Sequence, residues 1–149
     1  MDVDATELAS HLRLTVVRLY RLLRQQDESS LTPTLGSALA TVFRWGPLTL
    51  GELATRERIA PPSITNTVGK LETLGLVVRL TDAKDKRICR VEATDAGRQQ
   101  IESNRTRRTA WLATRLEELD PEDLARLVAA ADVLEQLTVA PPELDTEAP

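Results

Sequence analysis

Two adjacent prolines, Pro61 and Pro62, constrain this chain more than any other feature. Neither can donate a backbone N–H, and a proline inside a helix costs about 3 kcal/mol, so any helix that contains them must begin there. Downstream, Ile64, Val68 and Leu71 recur at helical spacing, and Gly75 suits the left-handed residue after a helix end. Upstream, Thr49 with Glu52 has the pattern of a capping box and opens a short helix ending near Ile59. After Gly75 the period changes. Leu76–Leu80 and Ile88–Val91 have strand character, and the polar run from Thr81 to Arg87 between them makes the pair a β-hairpin. Two short helices closed by a hairpin are the layout of a winged helix-turn-helix.

The flanks are helical. A first helix is expected from Thr6 to Gln26, with Asp4 as its cap and Leu8, Leu12, Val16, Leu19 and Leu23 as its apolar stripe. Thr32 and Pro33 start a second, which carries Leu35, Leu39 and Val42 inward and stops at Gly46-Pro47. Thr94-Asp95-Ala96-Gly97 opens a long helix through Ile101, Trp111, Leu112 and Leu116. Asp120, Pro121, Glu122 and Asp123 then supply a cap, a first-turn proline and two acids where the helix dipole favours them. The last apolar face, Leu124, Leu127, Val128, Ala131 and Leu134, precedes Pro141-Pro142. The fold class is therefore mainly α with a small β-hairpin wing.

Composition excludes several classes. The single cysteine, Cys89, cannot form an intramolecular disulfide, and the acidic start Met1-Asp2-Val3-Asp4 does not resemble a signal peptide. No apolar run approaches the roughly 18–20 residues that span a bilayer. A soluble cytoplasmic protein is expected, with no membrane partner. One histidine, His11, has no second ligand for a metal site nearby. There is no Gly-rich phosphate loop and no Ser/His or Cys/His pair for nucleophilic catalysis. Neither an enzyme nor a cofactor protein is expected.

The net charge of −4 conceals a polarity. Between Arg56 and Arg90 there are eight basic and four acidic side chains; from Leu116 onward there are one and ten. A basic middle with an acidic end fits one face that meets phosphate and another that does not.

Set at 100° per residue, the helix after Pro61 turns Pro62, Ser63, Asn66, Gly69, Lys70 and Thr73 away from its apolar face, with Thr65 at the edge. Short hydrogen-bonding side chains allow close approach to a major groove. Asn66 can pair bidentately with adenine, Ser63 and Thr65 can contact bases or phosphates, and Lys70 suits a phosphate. Lys84, Asp85, Lys86 and Arg87 cluster at the hairpin tip, where an arginine can enter a narrow minor groove and Asp85 would orient it. A solvated polar face remains the alternative for each element alone.

Taken in order, these segments resemble the MarR (multiple antibiotic resistance regulator) family. The resemblance rests on Pro62-Ser63-Ile64-Thr65, Leu71 to Val77, the wing Asp82 to Arg87, Ala93 to Gly97, and Leu119 to Leu124, and covers about Leu8 to Leu137. It implies a homodimer in which residues 1–31 and 94–140 form a helical dimerisation region and 32–93 the DNA-binding lobe. Residues 141–149 are left as a disordered tail. It implies double-stranded DNA with a near-palindromic operator as partner, and a repressor released by a small aromatic or phenolic ligand or by cysteine oxidation. Two positions depart from the pattern. Asn66 stands where arginine is frequent, which shifts base preference towards adenine. Lys84 stands where arginine is common and cannot form the same forked bridge to Asp82.

Cys89, in the second wing strand, is expected as a packing residue, because oxidation-sensing relatives carry their cysteine near the first helix. His11 and Trp45 are candidates to flank the ligand pocket, although Trp45 at the end of its helix also fits core packing. Trp111 is expected in the dimer interface or the core of the long helix. The competing function is a winged-helix homodimer that binds protein partners and no DNA.

Overall fold

A computed structural model describes residues 4–29 and 31–138. The elements are α1 (Ala5–Arg24), α2 (Pro33–Trp45), β1 (Leu48–Thr49), α3 (Leu50–Glu57), α4 (Pro61–Thr73), β2 (Val77–Thr81), β3 (Cys89–Ala93), α5 (Asp95–Glu117) and α6 (Pro121–Thr138). They fall into two compact units, one ending at Ala110 and the other beginning at Trp111. The expected disordered tail, 141–149, lies outside the described residues.

Helix starts follow their caps. The Asp4 carboxylate accepts the Thr6 amide at 2.8 Å, and Thr32 caps α2 with Pro33 at its first position. Thr49 and Glu52 form a reciprocal capping box: the Thr49 amide donates to the Glu52 carboxylate at 2.7 Å, and the Glu52 amide to the Thr49 hydroxyl at 3.2 Å. Asp120 accepts the Asp123 amide at 2.8 Å at the start of α6. Pro61 and Pro62 occupy the first turn of α4, where a missing N–H costs nothing. Gly75 follows α4 with φ +72°, the left-handed geometry that glycine adopts without strain.

The core of the first unit lies between α2, α3, α4 and the sheet. Leu39, Leu53, Ile64, Val68, Leu71 and Val91 are fully enclosed. Thr67 is buried beside them, its hydroxyl donating to the Ser63 carbonyl at 2.9 Å.

The hairpin differs from expectation by one residue at several ends, and the hydrogen bonds show why. Leu76 still closes the helix, because its amide donates to the Leu71 carbonyl at 3.0 Å; the strand starts at Val77. Ile88 belongs to the turn, its amide bonded to the Asp85 carbonyl at 2.9 Å. Pairing then continues to Ala93 opposite Val77. A third strand was not anticipated. β1 pairs antiparallel with the other edge of β3, Leu48 opposite Val91 and Thr49 opposite Arg90, giving the order β1-β3-β2. Two residues are too few to show a period of two.

In α5, Gly97 is buried against the chain between α4 and β2. A Cβ built there would lie 2.1 Å from the Leu76 carbonyl oxygen. Thr94 completes the junction by donating its hydroxyl to the Gly75 carbonyl at 2.6 Å and accepting the Gly97 amide at 3.1 Å.

Candidate nucleic-acid interface

Burial of Ile64, Thr67, Val68 and Leu71 fixes which side of α4 faces outward. Pro62, Ser63, Thr65, Asn66 and Lys70 are all exposed. The Thr65 hydroxyl donates to the Pro61 carbonyl at 3.0 Å, so its single proton is used and the oxygen presents only acceptor capacity. Thr73 does the same with the Gly69 carbonyl at 2.9 Å. Asn66, Gly69, Lys70, Thr73 and Leu74 line a groove of about 490 Å³ whose far edge is Leu35 of α2. Leu74 is exposed, so the outer face of this helix is less uniformly polar than its sequence suggests.

The turn between α3 and α4 holds Arg58 at φ 53° and ψ 41°. A left-handed conformation costs a non-glycine residue on the order of 1–2 kcal/mol. This turn places the exposed Arg58 at the corner just before α4.

The wing tip is built on two carboxylates. Asp82 accepts the backbone amides of Lys84 at 2.8 Å and Asp85 at 3.1 Å. Lys84 contributes its backbone amide to this turn, and its side chain makes no ion pair with Asp82 among the described residues. Asp85 accepts the Arg87 amide at 3.0 Å and grips its guanidinium through Nε at 3.1 Å and Nη2 at 3.2 Å. Arg87 remains 91% exposed while held in this fork. Both carboxyls are pushed below their ordinary range, Asp82 by the Lys84 and Asp85 amides and Asp85 by the Arg87 guanidinium and amide. Lys84 and Lys86 are exposed at the same tip.

Cys89 begins β3 opposite Thr81 and is half-buried. Trp45 is not a core residue, contrary to one expectation. It is 50% exposed, because α2 ends with that ring beyond the packed layer. Two guanidiniums stack on it, Arg44 at 5.0 Å and Arg56 of α3 at 4.8 Å from the ring centre. Trp111, in the second unit, is half-buried, with Arg115 at 5.3 Å over its ring.

A cavity of about 820 Å³ lies elsewhere in the first unit, walled by α1, the α1–α2 connection, α2 and α5. Tyr20, Leu31, Phe43 and Ile101 supply its apolar surface. Arg24, Arg44, Arg105 and Arg108 stand in it against a single carboxylate, Asp27. Asp27 has a side chain only 5% exposed and takes Arg108 Nε at 2.8 Å and Nη2 at 2.5 Å. That hydrogen-bonded pair raises the Arg108 pKa further. Arg24 donates to the Leu31 carbonyl at 2.9 Å. Neither His11 nor Trp45 lines the cavity; His11 is exposed on α1. Sequence reasoning missed Asp27, Arg24 and Arg108 because folding alone brings Arg108 to Asp27, 81 positions away along the chain.

Among the described residues no group of three or more His, Cys, Asp or Glu side chains could hold a metal, and no helix is long and apolar enough to cross a membrane.

A helix-turn-helix followed by a charged two-stranded wing defines the class: a winged-helix transcriptional regulator. Comparison with known proteins agrees. The profile described as the MarR family matches residues 31–89. An HTH-type transcriptional regulator of Mycobacterium tuberculosis is 38% identical over 135 residues, covering 90% of this chain and 94% of that protein. The HTH-type transcriptional repressor MdtR of Bacillus subtilis is 27% identical over 145 residues, covering 89% and 94%. The solved structure of a MarR family protein from Bacillus stearothermophilus superposes with a TM-score of 0.74 at 28% identity, covering 89% of this chain and 93% of that one. The chain belongs to the MarR family.

Proposed function

We propose that this regulator is a homodimeric repressor that reads a near-palindromic operator and releases it when a small aromatic or phenolic ligand binds. The observation that carries the DNA-reading part is the exposed, hydrogen-bonding face of α4, followed directly by a wing hairpin whose exposed arginine is gripped by Asp85. In this reading Pro62, Ser63, Thr65 and Asn66 meet base edges in the major groove and Lys70 meets phosphate. Lys84, Lys86 and Arg87 lie along the adjacent minor groove, with Asp85 orienting Arg87.

Dimerisation through residues 1–31 and 94–140 is supported by apolar side chains that the single chain leaves exposed, among them Val16 and Leu19 on α1 and Val128, Val133 and Leu137 on α6. Repression is supported by the name of the Bacillus subtilis relative. Release by a ligand is supported by the cavity beside α2 and α5, whose volume falls within the ordinary range for small-molecule sites. The cavity wall, not His11 or Trp45, is then where the effector sits.

The test is fluorescence anisotropy of the full chain against duplex DNA from upstream of its own gene, at two salt concentrations, beside a scrambled duplex. Sequence-preferring binding that weakens steeply with salt supports the reading, because phosphate contacts release counterions. Absence of binding at low salt would sink it and leave a module that contacts proteins only.

A further inference from the structure

The cavity between α1, α2 and α5 has an uneven charge balance, and that balance defines a ligand class. Asp27 is already committed to Arg108 through two hydrogen bonds. Two further guanidiniums in the wall, Arg24 and Arg44, have no carboxylate partner among the described residues. Arg24 spends one donor on the Leu31 carbonyl, which leaves most of its fork unused. Arg44 stacks on Trp45, an arrangement that orients the guanidinium without neutralising it. The apolar walls beside them suit a ring. A ligand with one acidic group pairs with one of the two arginines, and a second acidic group on the same ligand gains a further charge-assisted hydrogen bond at the other.

We infer that the cavity takes an aromatic ligand bearing two acidic groups, one for Arg24 and one for Arg44, in preference to a monoacid or a neutral phenol. This rests on the ligand-release reading above and narrows it. The Asp27–Arg108 pair is a wall of the site, its guanidinium charge already matched by the carboxylate.

The experiment is calorimetric titration of the full chain, without DNA, with phenol, benzoate and the three benzenedicarboxylates, which hold their charges at different separations. At least one dicarboxylate is expected to bind about tenfold more tightly than benzoate, the ratio that one added charged hydrogen bond supplies. Arg44→Gln, a substitution at an exposed position, is expected to bring the two within about twofold while leaving the fold intact. Wild-type tryptophan emission is expected to change with the favoured dicarboxylate and not in Trp45→Phe, because Arg44 lies over that ring. Equal affinity for mono- and dicarboxylates, or a preference that survives Arg44→Gln, overturns the inference. DNA release by phenol or benzoate alongside such a result leaves the ligand-release reading standing. Tight dicarboxylate binding without DNA release supports the ligand class and overturns the release reading instead.

Discussion

The Asp27 carboxylate holds both the Nε and Nη2 hydrogens of Arg108, a residue 81 positions further along the chain. The pair does not stand alone. Glu28 pairs with Arg107, and Ser29 accepts from Asn104 at 3.4 Å, whose own carbonyl takes Gln100 at 3.0 Å. Three consecutive residues after α1 are thus fastened to one face of α5 by polar contacts, where apolar packing would ordinarily do it. Breaking the enclosed pair should therefore be expensive. Removing one partner of a buried pair costs roughly 3–5 kcal/mol, and the partial exposure of Arg108 reduces this to about 2 kcal/mol for Asp27→Asn. Chemical denaturation of the single variants and of Asp27→Asn with Arg108→Gln checks it. The double variant should lose less than the sum of the two singles.

Gly97→Ala should destabilise the protein by about 3 kcal/mol, the upper end for overpacking, since the added methyl meets backbone and not a movable side chain. The methyl would also press on Leu39, 3.3 Å away in the core. Gly69→Ala provides the control. Nothing lies within 4 Å of its added methyl, and a helix interior favours alanine by about 1 kcal/mol. It should raise the denaturation midpoint while changing the groove surface beside Asn66.

The wing should respond to acid in a defined direction. The hydrogen bonds that Asp82 and Asp85 accept lower both folded pKa values, so their contribution to an ordered tip is fully present above the ordinary carboxylate range. It is lost only as pH falls through the lowered folded values. Protection of the Lys84 and Arg87 amides, relative to their intrinsic exchange rates, should hold from neutral pH through the ordinary carboxylate range and be lost only at still lower pH. Asp82→Ala should expose the Lys84 and Asp85 amides already at neutral pH and weaken DNA binding, since the tip would be less preorganised. Unchanged exchange in that variant would show that the strands alone hold the turn.

Much of the fold was legible because it is locally encoded. Thr49 with Glu52, Thr32 with Pro33, Asp120 with Pro121, and Gly75 each act within a few residues of themselves, so their signals survive in one dimension. Helix order and the outer face of α4 followed from the spacing of Ile64, Val68 and Leu71. What stayed hidden depends on distance along the chain. β1 exists only because β3 returns beside it. Trp45 looked like a core residue because its bulk is apolar, and only the end point of α2 relative to the sheet leaves it outside, between Arg44 and Arg56. The cavity wall joins Arg24, Asp27 and Arg108, which no periodicity relates.

Asn66 and Lys70 lie one helical turn apart on α4, and they should fail differently when removed. The Asn66 amide presents a donor and an acceptor to whatever meets this face, the pattern that pairs bidentately with adenine. Asn66→Ala should cost roughly 1–3 kcal/mol on the preferred duplex and little on a scrambled one, relaxing specificity at a single base position. The Lys70 ammonium is a point charge on a flexible stem and carries no pattern. Lys70→Ala should weaken both duplexes alike and reduce the slope of log affinity against log salt by about one. Anisotropy titrations of both variants on both duplexes, at several salt concentrations, separate these outcomes. If Asn66→Ala weakened the two duplexes equally, α4 would be riding on the backbone, and the base-reading role would have to move to the wing.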